Sequence, residues 1–174
     1  MAAHQLFSAK SPTPSTDRRR RIYNFLRGQY VGVLSTVTPD GDPHGAVVYY
    51  MVGDDFTIWL LTKKRTRKYD NLVHHDHAML TVFEPRMQTT VQVLGTAAEY
   101  AALTAVNAVS NEIFIRMMLD NENQLPPIVK LQAGSFTTFA IRPVQIRMAV
   151  YSQPDAGDYS QLFESIESFE MSDK

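Results

Sequence analysis

Apolar residues in this chain come in short blocks cut by turn residues, and their period shifts between strand-like and helix-like along the chain. Tyr30 to Val37 carries Val31, Val33, Leu34 and Val37 among β-branched neighbours and reads as a buried strand. Thr38-Pro39-Asp40-Gly41-Asp42-Pro43 is a turn in which Gly41 is free to take positive φ. Ala46 to Val52 is a second strand, and Gly53-Asp54-Asp55 turns it into a third, Phe56 to Thr62. Helical spacing then runs from Thr66 to His75 through Tyr69, Leu72 and Val73. Ala78 to Phe83 returns to a strand, Glu84-Pro85-Arg86 breaks it, and Thr89 to Glu99 alternates Val91, Val93 and Ala97 with polar residues. Leu103 to Leu119 is helical with a Val106, Val109, Ile113, Met117 stripe, and Asn121 to Pro127 is a polar loop. Ser135 to Ile141 and Val144 to Tyr151 are two further strands separated by Arg142-Pro143. Ahead of all these, Asp17 can cap a helix that carries Ile22, Phe25 and Leu26 on one face and stops at Gly28.

The expectation is a mainly β chain. Strands separated by tight turns are antiparallel neighbours. Closure removes exposed edges, so a small antiparallel barrel of six to seven strands with a few flanking helices is the predicted architecture. Side chains fill the lumen of a barrel this small, so a ligand binds outside it, often where two subunits meet. The domain is expected over 17–151. Residues 1–16, rich in Ser, Pro, Thr and Ala without an apolar period, are expected to be disordered. Residues 152–174 form an acidic tail in which Tyr159 to Phe169 can make an amphipathic helix through Leu162, Phe163 and Ile166.

Composition narrows the function classes. At 174 residues, 44% hydrophobic and 20% charged, this is an ordinary globule able to bury a core. It has no cysteine, which excludes disulfides, thiolate metal sites and thiol nucleophiles. No apolar run reaches membrane-span length and no signal-peptide layout precedes the first helix, so a cytoplasmic protein without a membrane partner is expected. A formal net charge of −1 argues against a dedicated nucleic-acid binder.

That near-neutral total hides a concentration. Lys63, Lys64, Arg65, Arg67 and Lys68 crowd the junction between the third strand and the helix after it, with Thr62 and Thr66 among them. Unpaired amides at a helix start and charge-assisted Arg and Lys hydrogen bonds both favour an oxyanion there. The pattern points to a bound phosphate group. His74, His75 and His77 straddle a helix end with Asp76 beside them and no carboxylate triad, so no metal site is assigned. His44, after the first hairpin turn, is read as a turn residue and Trp59 as core. Tyr49 and Tyr50 point to opposite faces of their strand, so one packs and the other can line a groove.

Three motifs in register resemble the pyridoxamine 5′-phosphate oxidase-like family, the FMN-binding split barrels. They are Val33-Leu34-Ser35-Thr36-Val37 with Asp40-Gly41-Asp42-Pro43-His44; Leu61-Thr62 with Thr66-Arg67-Lys68 and Asn71-Leu72; and Val91-Gln92-Val93-Leu94-Gly95-Thr96-Ala97. The resemblance implies FMN at a homodimer interface, with its phosphate held by Arg67 and Lys68, helped by Thr62 and Thr66, and with Leu61 among the cofactor-binding residues. It places Val47, Val48 and Tyr49 along the flavin ring, and Gln88 or Thr90, expected on one strand face, within its reach. A small-molecule substrate and a nicotinamide electron donor are the implied partners.

Two departures matter. Met51 stands where the vitamin B6 oxidases proper carry a substrate-phosphate Lys, and Met148 stands where they carry a Trp, with no Arg-x-His after it. The resemblance is therefore to the functionally mixed branch, which includes flavin reductases, deazaflavin-dependent reductases and proteins of unassigned role. It implies an FMN-binding oxidoreductase, with a deazaflavin-dependent reductase or a non-catalytic flavin-binding or stress-related protein as the alternatives. A deazaflavin coenzyme, with its longer acidic tail, would draw further on Lys63, Lys64 or Arg65. No catalytic acid or base is assigned.

Overall fold

The computed structural model describes residues 17–120, 136–151 and 165–171. Its elements are α1 (Asp17–Gly28), β1 (Val31–Val37), β2 (Pro43–Val52), β3 (Ile58–Lys63), α2 (Arg67–His74), β4 (His77–Glu84), β5 (Thr89–Tyr100), α3 (Leu103–Asp120), β6 (Phe136–Val150) and β7 (Ser165–Glu170). All strand pairs are antiparallel, in the order β3-β2-β1-β4-β5-β6-β7, and a further β3–β6 ladder closes the first six strands into a ring. This is the expected barrel, of the split-barrel type.

Two apolar clusters follow from strand alternation. Residues that point inward, among them Leu34, Tyr50, Leu60, Leu80, Val93 and Phe139, fill the lumen, and α1 adds Ile22 and Leu26. Residues that point outward from β2, β3 and β6, including Met51, Trp59 and Ala140, are covered by Val109 and Ile113 of α3. Tyr50 and Tyr49 divide as their alternation requires. Tyr50 is fully buried and donates to the Leu26 carbonyl at 2.9 Å, whereas Tyr49 lies outside, its ring parallel to Tyr30 at 6.3 Å. Gly41 takes φ 91° in the first hairpin, as predicted. The third strand starts two residues later than the pattern suggests. Phe56 adopts φ 67° and hydrogen-bonds Gly53, so β3 starts at Ile58.

Three expectations are corrected. The predicted break at Arg142-Pro143 is absent, and β6 runs through it as one strand. Pro143 is tolerated because β6 pairs with β3 only as far as Ile141 and with β7 only from Gln145, so no ladder bond is asked of it on that edge. On its other edge a bulge at Leu94/Gly95 absorbs Val144. Gly95 is compulsory there, because a Cβ would sit 2.1 Å from the Arg142 carbonyl oxygen. The second correction is Ser165–Glu170, which is strand β7 and not part of a helix. The free distal edge of β6 satisfies its backbone groups and overrides the local helical period. The third is Gln88, which lies in the β4–β5 turn at φ 48° and not on a strand face shared with Thr90. The expected disorder of 1–16 and the start of the acidic tail lie outside the described residues. Among the described residues no helix is long and apolar enough to cross a membrane.

Candidate functional site

The barrel is incomplete at one seam. β2 and β3 pair only at Tyr50–Leu60, Met51–Trp59 and Val52–Ile58, beside their connecting turn. Both strands continue beyond it. β2 stays laddered to β1 back to Pro43, and β3 stays laddered to β6 as far as Lys63. Their facing edges carry no ladder between Pro43–Tyr49 and Leu61–Lys63, which leaves a slot between them whose backbone groups no described strand takes up. Val47, Val48 and Tyr49 lie on one side of it, Leu61 and Thr62 on the other. Val48 and Thr62 are turned into the barrel, 3% and 2% exposed, so toward the outside they offer backbone. Val47, 66% exposed, and Tyr49 present side chains outward.

The slot ends at the start of α2. Arg65, at φ 68°, reverses the chain, and Thr66 becomes the N-cap with φ −109° and ψ 149°. The Thr66 hydroxyl donates to the Lys63 carbonyl at 2.9 Å and accepts from the Tyr69 N–H at 3.4 Å. Its hydrogen being committed to Lys63, it must accept from the Thr62 hydroxyl, 3.3 Å away. This short helix is fixed to the barrel by Asn71, 1% exposed, whose amide donates to Thr36 at 2.9 Å. The Thr36 hydroxyl in turn lies against His44, 3.4 Å from its carbonyl and 3.5 Å from Nδ1.

The five cations of the junction divide into two groups. Lys63 lies over the Phe136 ring at 5.4 Å and Lys64 pairs with Glu99 at 3.3 Å. Arg65, Arg67 and Lys68 have no hydrogen-bond or acidic partner among the described residues. Lys68 is also half-buried, and that desolvation pulls its ammonium below the usual lysine range. A partly desolvated cation without a counter-ion, beside a helix start and a second free cation, fits an incoming phosphate. Burial disfavours the charge and the anion would restore it.

Other sequence candidates fall elsewhere. Thr90 lies on the outer face of the barrel, opposite Phe83 and Ala149. Gln88 donates through its amide to the Pro85 carbonyl at 2.8 Å. Both are separated from β2 by β1 and β4, so neither lines the slot of its own chain. His74 and His75 contact each other edge to face at 4.7 Å and His77 pairs with Asp76 at 2.9 Å, and no metal-binding group is formed among the described residues. Two features escaped the sequence reading. The slot depends on where pairing between two strands stops, which no local pattern records. Glu99 reads as an ordinary polar strand position, yet its carboxylate reaches the junction. It is held below the normal glutamate range first by the Thr137 hydroxyl and then by Lys64 and Tyr69, against a desolvation that raises it.

Solved structures with this fold are varied. A conserved hypothetical protein from Mycobacterium tuberculosis is 21% identical with a TM-score of 0.63, covering 87% of this chain and 99% of its own. An FMN-binding protein from Nostoc punctiforme, related to pyridoxamine 5′-phosphate oxidase, is 14% identical with a TM-score of 0.56, covering 92% and 99%. An F420 reductase is 17% identical with a TM-score of 0.55, covering 71% and 93%. At these identities the likeness is one of fold. No curated protein is similar enough to this chain to count as a match. The sequence itself goes further than the fold. Residues 19–148, from α1 through the bulged part of β6, match the family described as pyridoxamine 5′-phosphate oxidase, and the chain belongs to that family.

Proposed function

We propose that the protein is an FMN-binding oxidoreductase that works as a homodimer. The observation that carries this reading is the slot between β2 and β3, closed at one end by the α2 start with Arg67 and Lys68, which have no partner among the described residues. Arg67, Lys68, Thr62 and Thr66 hold the phosphate, which is close to dianionic near neutral pH. Val47, Tyr49 and the backbone of Val48 lie along the ring. FMN supplies the redox chemistry, exchanging a hydride with a nicotinamide or a small organic substrate. The chain positions the ring, anchors the phosphate and keeps water from one face.

A second copy of the chain fits the outer face of β2, β1, β4 and β5. Val31, Val33, Val37, Val47, Phe83 and Leu94 are each at least 38% exposed on that face, which is apolar over much of its width and is covered by no other described element. Docking of that face on itself brings Thr90, on its margin, toward the slot of the other chain. Val33→Glu is expected to give monomers by light scattering and to lose cofactor with them; a Val33→Glu dimer overturns this interface.

The chromophore decides between cofactors. Purified protein should be yellow and release FMN, identified by mass, on denaturation. Release of a deazaflavin instead would establish the alternative reading, which the exposed Arg65 beside the junction favours as a tail contact. Anaerobic mixing with a reduced nicotinamide should bleach the flavin within turnover times. A flavin that binds and never reduces marks a cofactor-holding protein instead.

A further inference from the structure

The fold sends an acid into its cationic junction and fixes it there. Glu99, near the end of β5, accepts from the Thr137 hydroxyl at 2.7 Å through Oε1, which also lies 3.3 Å from the Lys64 ammonium. Its Oε2 accepts from the Tyr69 hydroxyl at 3.5 Å. Thr137 is fully buried and is the ladder partner of Thr62, and Tyr69 is the residue whose N–H Thr66 caps. The carboxylate is thus tied to the strand and to the helix that together form the anion site. An ion pair as exposed as Lys64–Glu99 adds little to folding; the bond to the buried Thr137 hydroxyl is what fixes the acid, and it does not require the lysine.

We propose that Glu99 sets how much negative charge the site accepts. It takes Lys64 out of use and adds its own field, so the junction matches one phosphate monoester and discriminates against anions carrying further charge beyond it. Specificity here comes from an unfavourable contact placed against the wrong ligand, not only from contacts with the right one. A ligand with a second phosphate, or with carboxylates trailing from its first, meets Glu99 where it needs Lys64. The inference rests on reading the junction as the phosphate site of a flavin, and it names the charge class that this site selects.

Displacement of FMN by inorganic phosphate and by pyrophosphate, at constant ionic strength, tests it. Glu99→Gln keeps the side-chain shape and an acceptor for Thr137 while removing the charge. In that variant pyrophosphate should gain about fivefold over phosphate as a competitor, from the lost repulsion and the freed ammonium. Adding Lys64→Gln should abolish the gain. Lys64→Gln alone, at a half-exposed position that does not threaten folding, should weaken pyrophosphate relative to phosphate by a similar factor. FMN bound normally with the same competitor ratio in all four proteins overturns the role of Glu99 and leaves the flavin reading intact. FMN that neither anion displaces also overturns it, since the phosphate then lies elsewhere. Wild-type protein that binds no FMN at all overturns the flavin reading, and this inference with it.

Discussion

The two halves of β3 are built differently. Ile58 to Leu60 is laddered on both edges, to β2 and to β6, and its side chains are buried on both faces, by the lumen and by α3. Leu61 to Lys63 keeps only the β6 ladder, and within three residues gives way to a left-handed Arg65 and a hydroxyl-capped helix. The first half has its backbone groups and apolar surface fully used. The second has backbone groups to spare on its β2 side, and it leads directly into Arg65, Arg67 and Lys68, which have no partner among the described residues. Six residues of one strand therefore separate into a part that holds the barrel and a part available to a ligand.

Substitutions should respect that division. Leu60→Ala, at a fully buried position, is expected to cost about 3 kcal/mol in chemical denaturation while leaving FMN affinity of the folded protein within about twofold. Arg67→Ala should do the reverse. Stability stays within about 0.5 kcal/mol because the side chain is exposed, and FMN affinity falls about tenfold or more by titration, the loss of one charge-assisted bond. Unchanged affinity would remove Arg67 from the site.

Thr66→Ala lies between the two. Loss of the cap should destabilise α2 by about 1 kcal/mol, visible as faster amide exchange in Tyr69 and its neighbours, and weaken FMN by a few-fold. The smallest expected effect is one of pH. Lys68 binds an anion only when protonated and its folded pKa is lowered by burial, so FMN affinity should hold at neutral pH and decline as pH rises through that lowered value. In the cofactor-free protein the sign is opposite. The folded state holds this proton less tightly than the unfolded chain, so the cost of burying Lys68 fades over the same rise. Lys68→Arg should flatten the affinity profile, which isothermal titration across pH can measure.

What the sequence made legible follows from the range of the interactions involved. Local alternation marked β1 to β5, and the Tyr69, Leu72 and Val73 spacing marked α2, because these depend on residues within one turn or hairpin. Pro143 misled, since its usual effect assumes a ladder on both edges, and here the chain hands one edge from β3 to β7 at that residue. β7 misled because its partner is distant in sequence. The crowding of cations around Arg67 and Lys68 was readable. That Lys63 and Lys64 are already engaged was not, because Phe136 and Glu99 arrive from other strands.

The handover at Pro143 has a consequence for chain architecture. Ring closure is complete by Ile141, and the Tyr151 N–H still reaches the Gln88 carbonyl at 2.9 Å, so β7 is an appendage fastened to a rim that the ring does not need. Shortening the polypeptide after Tyr151 should leave a foldable cylinder with its seam intact; among the described residues it gives up the strip along Gln145–Val150 and the sulfur contact between Arg19 and Met171.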